Sequence, residues 1–222
     1  MVDVRRETER VKTFRLALER PTPFRAGQHY VVRLTAPDGY TASRSYSVAS
    51  APDGSGEIEL TVERLADGEV SGYLHEVVEA GDRLDVRGPI GGWFTWDAEA
   101  PALLVGGGSG LVPLMSMLRL ARQLDRSYLV RLIVSVRSQA DLFYADELPG
   151  PEVSVVYTRE APPGGARPPG RLAVADLLPA LDPAGTAYLC GSAGFVEAAG
   201  RLLMDAGVPV ERIRVERFGP SG

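Results

Sequence analysis

The sequence predicts two domains, an antiparallel β-barrel followed by an α/β domain built on a parallel sheet. Three observations carry this. Up to about residue 97 the chain is a series of short segments of alternating polarity, separated by turn residues, as in a small antiparallel barrel or sandwich. From about Ala100 apolar runs alternate with helix-prone segments, which implies βαβ units. At the first such junction stands Leu103-Leu104-Val105-Gly106-Gly107-Gly108-Ser109-Gly110-Leu111-Val112-Pro113, an apolar run, a glycine cluster and a helix start. The rhythm changes between Trp96 and Pro101, which divides the chain into residues 1–98 and 99–222.

Each element follows from its pattern. Arg10 to Leu18 alternates, with Phe14, Leu16 and Leu18 on one face. Gln28 to Ala36 is strand-like and ends in the turn Pro37-Asp38-Gly39, and Ser45 to Ala49 is short and β-prone. Glu57 to Arg64 sets Ile58, Leu60 and Val62 against polar neighbours, and Arg83 to Arg87 follows the turn Ala80-Gly81-Asp82. One helix interrupts this half, around Ser71 to Val78. In the second half, strands are expected at 102–105, 130–136, 153–157, 186–189 and 213–216. Helices are expected at 112–124, 142–148, 173–181 and 195–206. Pro162 to Gly170 is a loop by composition.

Composition narrows the function. A hydrophobic fraction of 45% with 24% charged residues is ordinary for a chain that buries a core. The net charge of −5 supplies no positive field for nucleic acid or a membrane surface. One cysteine excludes an internal disulfide, a four-cysteine iron–sulfur cluster and a cysteine-based zinc site, and two histidines argue against a histidine metal centre. The start has no apolar signal region and no run reaches membrane-spanning length, so the expectation is a soluble cytoplasmic protein.

Four motifs bear chemistry. The glycine stretch after the strand points backbone N–H groups and the positive end of a helix at an anion such as a phosphate. It is not the G-x-G-x-x-G fingerprint, since the last glycine position holds Leu111, and a purely structural turn is the alternative. Arg44-Ser45-Tyr46-Ser47 puts a guanidinium and an aromatic ring on one strand face, a phosphate clamp beside a cover for a heterocycle; a solvated Arg beside a half-buried Tyr is the bland alternative. In Gly68-Glu69-Val70-Ser71, Ser71 stands where a helix N-cap would be, with hydroxyl and N–H groups available to an anion, or serves as an ordinary cap. Gly88-Pro89-Ile90-Gly91-Gly92-Trp93-Phe94 closes the barrel half.

In order, Arg-x-Tyr-Ser, Gly-x-x-Ser, Gly-Pro-x-Gly-x-Phe, Gly-Gly-Gly-x-Gly-x-x-Pro and a late Cys-Gly resemble the ferredoxin–NADP⁺ reductase family, from about Gly27 to Phe218. The resemblance implies an FAD-binding barrel and a Rossmann-like domain for a reduced nicotinamide nucleotide. It further implies that a hydride passes from nicotinamide to the flavin N5 and that electrons then leave to an acceptor. Carried over, Arg44 looks like an FAD pyrophosphate ligand, Tyr46 the ring stacked on the isoalloxazine, Ser47 the hydroxyl near N5, and Ser71, with Gly68 and Val70, a second phosphate contact. Gly106, Gly107, Gly108, Ser109, Gly110 and Pro113 match the nucleotide pyrophosphate loop. Cys190 and Gly191 match the pair beside the nicotinamide, although Gly191-Ser192-Ala193 stands where many members have Gly-Pro. Phe218 matches an aromatic that approaches the flavin, and Glu216 is a candidate for handling a proton. Ser47, Tyr46 and Cys190 thus form the candidate catalytic set, with Ser45 as a further cofactor contact.

Arg137 and Ser138 follow the strand after the glycine turn, and Arg159 and Arg171 stand further on, in stretches similar to those of NADPH-using bacterial members. Guanidinium groups suit a 2′-phosphate, so NADPH is expected, with NADH as the alternative. The expected acceptor is a separate protein, a ferredoxin first of all. A flavin reductase, a subunit without turnover of its own and a protein that binds no flavin are the other readings.

Overall fold

The computed structural model of the protein describes residues 1–165 and 167–219. In the first half, β1 (Asp3–Arg6), β2 (Val11–Ala17), β3 (His29–Thr35), β4 (Thr41–Ser47), β5 (Glu57–Glu63) and β6 (Asp85–Ile90) form two three-stranded antiparallel sheets, ordered β1-β2-β5 and β4-β3-β6. Alternation puts Phe14 and Leu16 of β2, Tyr30 and Val32 of β3, and Ile58, Leu60 and Val62 of β5 into one core. Helix α1 (Glu69–Glu76) covers that core with Val70 and Leu74. The chain beyond β4 closes the barrel by passing from one sheet to the other. There the Val48 N–H donates to the Gln28 carbonyl, the Ala49 N–H donates to the Glu59 carbonyl, and Val48 bridges Leu60.

The second half is a five-stranded parallel sheet ordered β11-β10-β7-β8-β9, from β7 (Ala102–Gly107), β8 (Val130–Val136), β9 (Val153–Tyr157), β10 (Thr186–Ser192) and β11 (Ile213–Phe218). Helices cover both faces, so the strands read as continuous apolar runs rather than alternations. Helix α2 (Leu111–Gln123) packs between the sheet and the barrel, in one buried cluster that also holds Ala26, Ala49, Phe94 and Trp96 of the first half. The short α3 (Val174–Leu177) and α4 (Ala193–Asp205) cover the opposite face. Strand order reverses at β7 and β10, and in open α/β sheets ligands bind outside the carboxyl ends of the strands at such a point.

The fold class agrees with expectation, and several elements differ in extent. β1 carries a single apolar residue, Val4, and gave no pattern to read; it is held by its ladder to β2. β4 begins at Thr41 rather than Ser45, because all seven residues pair with β3. β10 runs through Cys190 and Gly191 to Ser192, pairing with β11 as far as Phe218. The segment expected as a helix over 142–148 is a turn, with Tyr144 in the left-handed region at φ 59°. Its side chain is drawn out of any helical path into the barrel, where its hydroxyl donates to Thr61 Oγ1. The helix expected over 173–181 is α3 followed by a 3₁₀ turn at Leu178–Ala180 that contains Pro179. Among the described residues no helix is long and apolar enough to cross a membrane.

Candidate functional site

The candidate residues fall into two sets, one at the end of β4 in the barrel half and one at the carboxyl ends of β7, β10 and β11. On the barrel side, Arg44, Ser45, Tyr46 and Ser47 are the last four residues of β4, at the end of the strand and not at its start as expected. Arg44 is exposed and, among the described residues, donates only to the adjacent Ser43 carbonyl, at 2.8 Å, which leaves most of its guanidinium donors without a partner there. Tyr46 is half-buried, and burial pushes its phenol up to about 12. Ser47 is 4% exposed, yet its hydroxyl has no partner among the described residues. Tyr30, directly opposite Tyr46 in the β3–β4 ladder, is in the same state, 2% exposed with an unpartnered hydroxyl. Sequence reasoning passed over Tyr30, since a strand tyrosine among apolar neighbours reads as core; only the orphaned hydroxyl sets it apart.

The helix after β5 corrects one expectation. Gly68, not Ser71, is the N-cap of α1, and Ser71 lies in the first turn. The Ser71 hydroxyl is already committed, accepting from the Leu65 N–H and donating to the Gly68 carbonyl, both at 3.2 Å. The groups open to an anion there are the first-turn N–H groups, those of Val70 and Ser71 included, which have no intrahelical acceptor.

On the other side, Gly108–Gly110 form a 3₁₀ turn that runs straight into α2, with Pro113 buried in the first helical turn. Glycine is required here for two reasons. Gly108 has φ 56°, and a Cβ on Gly110 would sit 2.1 Å from the Cys190 carbonyl oxygen. The turn therefore rests directly on the end of β10. A Cβ on Gly191 would likewise meet the Phe195 ring at 2.7 Å. Cys190 is fully buried, and burial raises its thiol well above the ordinary range, so it is no thiolate nucleophile at neutral pH. Cys190 faces Gly106 on β7 and Glu216 on β11 in the ladder. Glu216 Oε2 is buried and has no partner among the described residues, and burial pushes its carboxyl up to about 7. Phe218 pairs with Ser192 and packs half-buried against the cluster around α2.

The basic residues gather at the ends of β8 and β9. Arg137 follows β8 and Arg159 follows β9, and the Arg159 N–H donates to the Arg137 carbonyl at 3.0 Å. The Gly170 N–H donates to the Tyr157 carbonyl at 2.9 Å, which brings Arg171 to the same edge. All three side chains are exposed, and none forms an ion pair among the described residues. The neighbouring Arg167 is instead bound to Asp176 at 2.7 Å and is not a freely solvated loop arginine. Ser138 donates to Asp141 at 2.6 Å, so a carboxylate also stands at this edge.

Comparison with known proteins agrees with this fold. Residues 1–95 match the family model for the oxidoreductase FAD-binding domain, and residues 104–201 that for the oxidoreductase NAD-binding domain. The chain is 34% identical over 211 residues to ferredoxin–NADP reductase B of Sorangium cellulosum, covering 88% of this chain and 85% of that protein. It is 34% identical over 204 residues to a flavohemoprotein of Pseudomonas putida, covering 88% of this chain and 51% of that protein, so it spans about half of that relative's length. Among solved structures, the flavohem-like FAD/NAD-binding domain of nitric oxide dioxygenase from Vibrio cholerae superposes with a TM-score of 0.87 at 27% identity, covering 99% of this chain and 98% of that one. By fold, family models and relatives, the chain belongs to the family of oxidoreductases that join an FAD-binding domain to an NAD-binding domain.

Proposed function

We propose that this chain is a cytoplasmic NAD(P)H oxidoreductase in which residues 1–98 hold FAD, residues 99–222 hold NADPH, and electrons leave to a separate carrier, a ferredoxin first of all. The observation that carries this reading is a set of buried polar atoms without a partner among the described residues: Ser47 Oγ at the end of β4, Tyr30 Oη on the neighbouring β3 and Glu216 Oε2 on β11. A buried polar atom without a partner costs free energy unless a bound group supplies one. Two of these atoms belong to the barrel, and Glu216 pairs with Cys190, on whose carbonyl rests the turn whose glycines would admit a pyrophosphate. Residues and cofactor therefore fit.

Bound there, FAD supplies the step from a two-electron nicotinamide donor to a one-electron acceptor, chemistry that belongs to the cofactor. The chain's own residues bind and orient. Arg44 would clamp the flavin pyrophosphate with its free donors, and the first turn of α1, from Gly68 through Val70 to Ser71, would present N–H groups to the same anion. Tyr46 would cover the ring face, with Ser45 beside it and Tyr30 donating from the next strand. Ser47 would donate a hydrogen bond at the reacting edge, and Glu216, titrating near neutrality, would hold or release a proton there. Gly107, Gly108, Ser109, Gly110 and Pro113 would cradle the nucleotide pyrophosphate. Cys190, Gly191 and Phe218 would shape the nicotinamide pocket by position rather than by thiol chemistry.

NADPH is preferred over NADH in this reading because Arg137, Arg159 and Arg171 stand, without ion-pair partners among the described residues, at the edge where a 2′-phosphate would lie, with Ser138 next to Arg137; Asp141 is the opposing charge. The protein should be yellow, and its flavin bands should bleach on adding NADPH and recover on adding oxidised ferredoxin. A colourless protein after FAD is supplied defeats the reading, and turnover of free flavin without ferredoxin activity makes it a flavin reductase instead. For Arg137→Ala and Arg171→Ala, kcat/KM with NADPH should fall by roughly 1–3 kcal/mol in barrier while NADH is nearly untouched. Equal losses with both nucleotides would assign these arginines to the fold or to the shared pyrophosphate.

A further inference from the structure

The fully buried residues of helix α2 are apolar with one exception, Ser116, and the partly buried Arg119 lies beside it. Ser116 is fully buried between Met115 and Met117, and Arg119 lies three residues on, hence on the same face. Both reach the segment that follows Ser47. Ser116 Oγ donates to the Ser50 carbonyl at 2.6 Å. Arg119 Nη1 donates to the Ala49 carbonyl at 2.9 Å and to Glu59 Oε2 at 2.7 Å. Its other donors grip Glu147 in bidentate fashion, Nε to Oε2 at 2.8 Å and Nη2 to Oε1 at 2.6 Å. The guanidinium also lies over the Tyr144 ring, 5.0 Å from its centroid. The same segment is pinned from the barrel side, where the Ala49 N–H donates to the Glu59 carbonyl at 2.8 Å and the Glu59 N–H donates to Ser50 Oγ at 3.1 Å.

We propose that Ser116 and Arg119 are positioning residues: they tie α2 to the backbone after Ser47 and so set how far the flavin side of the site stands from the nicotinamide side. The proposal rests on the functional reading above. The geometry has the form of a strut. At one end α2 starts from the glycine turn, and Gly110 rests on the Cys190 carbonyl so closely that no Cβ fits. Roughly 9 Å along the axis, at 1.5 Å per residue, Ser116 takes hold of Ser50. Ser47 is two residues before the first pinned carbonyl and Cys190 is in direct contact with the turn, so the two sides of the site are linked through one short rigid helix. Packing alone would be served by an apolar residue at position 116. A buried hydroxyl and a guanidinium shared among two carboxylates and a main-chain carbonyl specify one register instead. Reactions between two held groups depend steeply on separation, and a misplacement of about 1 Å can cost on the order of a hundredfold in rate.

The test uses the FAD-loaded full chain as wild type, Ser116→Ala, Arg119→Gln and Arg119→Lys. Three quantities are measured: dissociation constants for FAD and NADP⁺ by calorimetry, the change in the visible flavin spectrum on saturation with NADP⁺, and the single-turnover rate of flavin bleaching by NADPH. The expected result is dissociation constants within threefold of wild type for Ser116→Ala and Arg119→Gln. In both, the NADP⁺-induced difference spectrum should be altered and bleaching slowed tenfold or more, and Arg119→Lys, which keeps the charge and a donor, should recover much of the rate. A wild-type difference spectrum and rate in the variants overturn the proposal. So does a rate loss that only tracks lost FAD or NADP⁺ affinity, which is what a merely structural role would produce. If Arg119→Gln does not fold, Ser116→Ala decides. A wild-type flavin that neither NADPH nor NADH bleaches defeats the functional reading, and the difference spectrum then decides the positioning claim by itself.

Discussion

At the scale of single residues, burial determines what the polar groups of the candidate site do. Cys190 and Glu216 face one another across β10 and β11, and burial pushes both toward their protonated forms. For Glu216 the carboxyl rises from the ordinary 4.5 to about 7. The folded protein then binds this proton more readily than the unfolded chain between those two values. Stability therefore falls as pH rises through that window and is level above it. The full effect is about 3 kcal/mol at 1.36 kcal/mol per unit. Urea denaturation of the flavin-free protein at pH 5 and pH 8 should show this loss in wild type and little of it in Glu216→Gln. The same pH dependence in both proteins would mean that the proton binds elsewhere.

At the scale of elements, the turn between β7 and α2 contains two glycines that are needed for different reasons. Gly108 has a left-handed backbone with open space around it, while Gly110 rests on the backbone of Cys190 and Gly191. Gly108→Ala should cost about 1–2 kcal/mol, the strain of an L-residue in that region, and leave the sheet as it is. Gly110→Ala adds a carbon where backbone already lies, so α2 or the end of β10 must move. It should destabilise by about 3 kcal/mol or more and weaken nucleotide binding at least tenfold. Urea midpoints and NADP⁺ titrations on both variants check this; equal, mild effects would mean that the turn has more room than the contacts describe.

At the scale of the whole molecule, the two halves share a core. The buried cluster around α2 includes Ala26, Ala49, Phe94 and Trp96 from the barrel half. Polar contacts add to it: Tyr188 Oη donates to the Thr95 carbonyl at 3.0 Å, and Arg214 Nη1 donates to the carbonyls of Trp93 at 3.1 Å and Thr95 at 3.0 Å. The Tyr144 hydroxyl reaches Thr61 inside the barrel, and Thr61 keeps Thr13 as a second partner at 2.8 Å. Unfolding of the two halves should therefore be one transition by both flavin release and far-ultraviolet circular dichroism. Tyr144→Phe should lower stability by about 1 kcal/mol, or roughly 2–4 °C in melting temperature, because it removes one hydrogen bond and leaves Thr61 paired. Two separate transitions in wild type would mean that the shared core does not couple the halves.

The sequence by itself determined the elements whose patterning is local. The alternation of Phe14 and Leu16, the apolar run before Gly106 and the helical periodicity of α2 and α4 needed no partner to be read, and the order of the motifs around Arg44, Gly68, Gly106 and Cys190 carried the family. Tertiary structure decided what depends on residues distant in the chain. β1 and the first four residues of β4 are strands because a neighbouring strand takes their hydrogen bonds, not because their own residues prefer it. The stretch around Tyr144 has helix-compatible residues, yet one side chain drawn 83 positions back to Thr61 outweighs that local preference. Ser71 reads as an N-cap until the Leu65 N–H is found to occupy its hydroxyl. Tyr30 reads as an ordinary strand residue until burial is known, and the orphaned oxygen of Glu216, already a candidate for handling a proton, is equally invisible before folding, because a missing hydrogen-bond partner is a property of the folded surroundings and leaves no mark in the sequence.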